Sequence, residues 1–164
     1  MSGPANVLSV DAIKRFRDAL ALFIEEAKHA LVSVDMENRR THDWIANHQR
    51  LYWLEEVKRR RERLSEASAA LHRKKLQQRP GSTVHDADET EAVRVARARL
   101  RDSEGKVEIV KRWATAYQHA IDEYQGSARP LADMLEHDAV RALALLDRMI
   151  AALEDYARVD PPSS

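Results

Sequence analysis

Between Pro4 and Pro80 the chain contains neither glycine nor proline, and apolar residues recur through that stretch at three- and four-residue spacing. Such spacing lines one face of an α-helix, and no residue there interrupts the backbone hydrogen-bond ladder. The expectation is one helix from about residue 9 to residue 78. At roughly 1.5 Å per residue it would be on the order of 100 Å long, more than a compact domain of 164 residues accommodates. A chain of this kind suits reach and contact better than the concave pocket that small-molecule chemistry uses.

The remaining glycines and prolines gather at Gly3-Pro4, Pro80-Gly81, Gly126 to Pro130 and Pro161-Pro162, with Gly105 alone. They divide the chain into two long arms. In the first, Ser9 stands as N-cap with Asp11 in the opening turn, and His72, Arg73, Lys74 and Lys75 meet the negative helix end. Residues 79–87 read as the loop, and Asp88 with Glu91 three positions later has capping-box spacing. The second arm is expected to break at Gly126 to Pro130, giving helices at about 88–125 and 130–158 and a tail at 159–164. The whole is one all-helical domain, an elongated antiparallel hairpin of the coiled-coil kind.

Three seams carry that reading. The first arm repeats Ile13, Phe16, Leu20, Phe23, Ala27, Ala30 and Val34, then continues through Thr41, Trp44, His48 and Leu51 before shifting phase to Leu54, Val57, Leu64, Ala67 and Leu71. The second repeats Val93, Ala96, Leu100, Ser103, Val107, Val110, Ala114, Tyr117, Ile121 and Tyr124. The third carries Leu131, Leu135, Ala139, Ala142, Leu146, Met149, Leu153 and Tyr156. Folding at the loop puts Trp113 near Trp53 and Leu54, Tyr117 near Leu51 and Tyr124 near Trp44, an aromatic belt. It also sets the third helix against Leu20 to Val32. Both of those segments are more apolar than one neighbour requires, with Leu20, Phe23, Ile24 and Leu31 facing Leu143, Leu146 and Ile150. These residues are the expected oligomer interface of a dimeric four-helix bundle.

Chemistry has few footholds. There is no cysteine, hence no disulfide or thiolate metal site. Glu26 and His29 have the spacing of a di-iron helix, but no other histidine has a glutamate three positions earlier, so no metal or other cofactor is expected. No Ser/His/Asp set or Gly-rich phosphate loop appears, so neither an enzyme nor a small-molecule substrate is expected. No run reaches about 18 uncharged apolar residues, and no basic stretch precedes a hydrophobic one at the N-terminus. The expectation is a soluble, unprocessed, cytoplasmic protein.

Two surface features remain. Lys58, Arg59, Arg60, Arg61 and Arg63, with Arg97 and Arg101 on the opposing arm, form a basic patch. Glu55, Glu56, Glu62 and Glu66 interleave with it, and 27 basic residues balance 27 acidic ones, so nucleic-acid binding is the weaker reading. Trp44, Tyr52, Trp53, Trp113 and Tyr117 are the candidate site for another protein, because adjacent Tyr52 and Trp53 cannot both face inward. His42 and His48 flank Trp44 and could make that contact sensitive to pH.

The sequence Tyr156-Ala-Arg-Val-Asp160 resembles the Tyr-x-x-x-Asp/Glu tail of the Trp-x-Gly helical-hairpin substrates of type VII secretion. That resemblance implies a leaderless, dimeric, exported hairpin, although the chain has no Trp-x-Gly turn. The leading expectation is a non-enzymatic interaction or scaffold protein acting through self-association and a further protein partner.

Overall fold

The computed structural model describes residues 3–77 and 86–158, and among these only Gln77 and Asp86 are not helical. Helix α1 (Gly3–Asp43) passes through a π-helical turn at Trp44–Gln49 into α2 (Arg50–Leu76). Helix α3 (Ala87–Asp133) passes through a second π-helical turn at Met134–Asp138 into α4 (Ala139–Arg158). Pro80-Gly81, nearly all of the expected loop and the 159–164 tail lie outside the described residues.

The boundaries follow local chemistry. α1 begins at Gly3, so Ser9 is interior and not a cap. Pro4 falls in the first turn, where its missing N–H has no intrahelical acceptor to lose. α3 begins one position before the expected start: the Asp86 carbonyl accepts the Thr90 N–H at 3.0 Å, and Asp88 and Glu89 lie in the first turn, where carboxylates favour the positive helix end.

The break expected at Gly126 to Pro130 does not occur, and α3 runs on to Asp133 with Pro130 inside it. Proline withholds the N–H that would serve the Gly126 carbonyl, at a cost of about 3 kcal/mol in a helix interior. Burial of Ile121 before it and of Leu135 and Ala139 after it offsets that cost. The ladder widens four residues beyond the proline instead, at the second π-turn.

Contacts divide the chain into two packing units, one of residues 1–37 with 122–164 and one of residues 38–121. In the first, α1 lies antiparallel to the end of α3, the second π-turn and α4. Ile24, 3% exposed, packs with fully buried Leu135 and with Ala139, and Leu20, Ala27, Leu31 and Leu143 close around them. Along one side, Arg17 forks onto Asp147 at 2.8 and 3.3 Å, and Lys14 pairs with Glu154.

The second unit is a helical hairpin, α2 with the end of α1 against most of α3. Lys74 Nζ lies 2.6 and 2.7 Å from the two Glu89 carboxylate oxygens, Arg60 meets Asp102 at 3.1 Å, and the Tyr117 hydroxyl donates to Asn38 Oδ1 at 3.1 Å. From Val93 to Ile121 each expected seam residue of α3 is at least half-buried; Val107, Val110 and Ile121 are buried and Ser103 fully so.

Candidate interaction surfaces

The seam of α1 is rotated from the expected one. Arg17, Ile24, Leu31 and Asp35 turn inward where Phe16, Phe23, Ala30 and Val34 were expected, and the two phenylalanines are 60% and 51% exposed. Ile13, Leu20 and Ala27 are shared between both stripes, so the choice rests on the flanking row. Ile24 wins it because Leu135 and Ala139 pack on that side. In the first π-turn region Trp44, His48 and Leu51 face outward while Ile45, Gln49 and Trp53 are half-buried. Leu131, Met149 and Tyr156 of the third seam are likewise exposed.

At about 100° per residue, these exposures fall on one side of the first unit. Ala12, Phe16, Ala19, Phe23, Ala30 and Val34 of α1 and Leu145, Met149, Ala152 and Tyr156 of α4 are all exposed. They project on the side away from Lys14–Glu154 and Arg17–Asp147. Two exposed charged residues share their rows, Glu26 seven positions after Ala19 and Asp138 seven before Leu145. The opposite side carries those ion pairs and, further along, an open groove between Lys28, Asp35, Arg129 and Glu136 over Leu31 and Leu135.

The residues expected at an oligomer interface divide accordingly. Ile24 is core, Leu20, Leu31 and Leu143 pack against it, Leu146 and Ile150 are half-buried in the same seam, and Phe23 alone is exposed. Phe16, Leu145 and Met149 are the surface apolar residues that the expectation passed over. For Phe16 and Met149 the signal was present in the heptads, which include the exposed rows, whereas Leu145 lies outside the repeat.

The aromatic belt is not formed. Tyr117 meets Asn38 rather than Leu51, and Tyr52 against Trp53 is the one ring pair among the described residues, edge to face at 5.1 Å. Trp53 is half-buried with the Arg60 guanidinium and the Lys106 ammonium each 6.0 Å from its ring centre. Tyr52 and Trp113, 52% and 62% exposed, project on the same side of the hairpin, while Trp44 is exposed on its outer face.

The basic patch is neutralised in part. Arg59 and Arg60 share Glu56, Arg60 also holds Asp102, and Arg61 reaches Glu104 at 3.6 Å. Arg97 and Arg101 are exposed with no ion pair among the described residues. Glu26 and His29 are both exposed, and no group of three metal-ligating side chains exists among the described residues. No described helix is long and apolar enough to cross a membrane. Comparison with protein families, with curated proteins and with solved structures finds no match.

Proposed function

We propose that this protein is a non-enzymatic coiled-coil scaffold that works by self-association, forming a dimeric four-helix bundle through its first packing unit and offering its second to another protein. One observation carries the reading: a two-helix layer leaves Phe16, Phe23, Leu145 and Met149 exposed together on one side. Two helices cannot bury apolar arcs this wide, and a contiguous apolar side of this kind characterises contact surfaces. Tyr52 and Trp113 supply aromatic anchors for the further partner.

Sedimentation velocity at micromolar concentration tests it. The expected species has twice the 18.8 kDa chain mass. A monomer throughout that range would remove the reading. Carboxylates beside Arg59, Arg60 and Arg61 argue against nucleic acid as the partner. A labelled duplex is accordingly expected to stay free at physiological salt.

A further inference from the structure

The two strict heptads of the first unit do not point at each other. The α1 repeat of Ile13, Phe16, Leu20, Phe23, Ala27, Ala30 and Val34 is centred roughly 75° away from the row buried against α4, counting about 100° per residue. The α4 repeat of Ala139, Ala142, Leu146, Met149, Leu153 and Tyr156 is centred roughly 50° away from its own buried row. Both displacements are toward the same side, opposite Lys14–Glu154 and Arg17–Asp147.

A helix in a two-stranded coiled coil aims its seam straight at its partner. In a square four-helix bundle each helix aims at the central axis, about 45° from the line to its neighbour, and it does so on the same side for both helices of a layer. The displacements here have the second pattern. The layer is therefore one half of a bundle whose other half is a second two-helix layer of matching length.

We infer that this other half is a second copy of the chain, its Phe16–Phe23 and Leu145–Met149 side laid on the same side of the first about a two-fold axis. The inference rests on the self-association reading above and adds the symmetry of the contact, the same side of each copy facing the other. Three properties of the surface favour a copy. From Ala12 to Val34 and from Ala142 to Tyr156 it carries one charged residue, Glu26 at its outer edge seven positions after Ala19, so like surfaces meet with little repulsion. It alternates large and small, with Phe16, Ala19, Phe23 and Ala30 on one helix and Leu145, Met149 and Ala152 on the other, which permits interdigitation. Its extent, roughly 33 Å along α1 and 21 Å along α4 at 9–10 Å per helix, gives a footprint on the order of 500 Å² per copy, about the total of 1,000 Å² that a specific interface needs.

The test compares three proteins by sedimentation velocity, with helical circular dichroism as the control for folding. Wild type is expected as a dimer, the double variant Phe16→Glu/Phe23→Glu as a monomer with its helix content kept, and Val32→Glu, exposed on the charged side, as a dimer. A double variant that stays dimeric would place the contact elsewhere and overturn this inference while leaving self-association standing. A monomeric wild type would overturn both. If the double variant unfolds, cysteine labelling decides, since the chain has no cysteine of its own. Alkylation of a Phe23→Cys variant should slow on the order of tenfold on passing from dilute to micromolar protein, and Val32→Cys should not change. Equal behaviour of the two would overturn the assignment.

Discussion

Arg60 reaches across the hairpin seam and donates through Nη1 to the main-chain carbonyl oxygen of Arg99 at 2.6 Å. That carbonyl lies in mid-helix, so the guanidinium supplies it with a donor from outside its own helix. Ser103, four residues on in α3 and fully buried, turns its hydroxyl back on the Leu100 carbonyl at 2.8 Å. Nε of the same arginine bonds Glu56 at 3.3 Å, and Nη1 also reaches Asp102. One side chain thus ties α2 to α3 at a fixed register.

Arg60→Ala should therefore cost about 1 kcal/mol, read as a fall of roughly 2–4 °C in thermal midpoint by circular dichroism. Arg60→Lys should recover little of it, because an ammonium lacks the planar fork that serves a carbonyl and two carboxylates together. Ser103→Leu is expected to be worse than either, since it forces a large side chain into a fully buried seam position. A midpoint unchanged in all three would show the contact to be incidental.

Leu135 is fully buried against Ile24, and its truncation leaves a cavity that the helices cannot collapse into without moving the second π-turn. Leu135→Ala should cost about 2–5 kcal/mol in urea unfolding. Met36→Ala, at an exposed position, should stay within about 0.5 kcal/mol. Equal midpoints would contradict the placement of the core.

The cross-helix ion pairs predict a pH dependence. Hydrogen bonding to Lys14, aided by its charge, holds the Glu154 carboxyl below its ordinary 4.5, and Lys74 does the same to Glu89. The unfolded chain then binds protons more readily than the folded one, so this stabilisation is complete above pH 4.5 and drains away as pH falls below it. Lys14 is raised above its ordinary 10.5 by Glu154, so its share is complete below that value and is lost as pH rises beyond it. Thermal melts between pH 3 and pH 6 should show a shallower slope in Glu154→Gln than in wild type, and salt should flatten both.

Backbone substitutions separate the helix from its packing. A side chain at Gly105 or Gly126 would meet nothing within 4 Å. Gly105→Ala and Gly126→Ala should each stabilise by about 0.5–1 kcal/mol. Pro130→Ala should add more, on the order of 1–3 kcal/mol, by returning a donor to the Gly126 carbonyl. Destabilisation by either glycine change would mean that the helix there is held in some other geometry.

The parts of this fold that could be read in advance are those where one apolar row meets one neighbour. From Val93 to Ile121 the seam of α3 turns inward at every expected position, because no second apolar row competes with it. Along α1 two rows compete, and only the position of Leu135 and Ala139 selects Ile24 over Phe23. Gly126 and Pro130 misled for a different reason: a local cost of a few kcal/mol is outweighed by burial on either side of it. The first π-turn leaves a mark in spacing, the phase shift after Leu51 a few residues beyond it, and the second leaves none. Asn47 bonding back to Asp43 within the first is visible only once the chain is folded. The aromatic belt failed with the register, as Tyr117 lies beside Asn38.

The widened turn at Trp44–Gln49 makes the chain tolerant of a shortening that would be ruinous nearby. Deleting one residue from an ordinary α-helix swings everything beyond it by about 100° and empties the seam. Deleting one from this turn restores regular winding, with Asn38 still under Tyr117 and Arg60 still over Arg99. The hairpin thus carries a spare residue in its backbone, a place where length can change while the pairing does not.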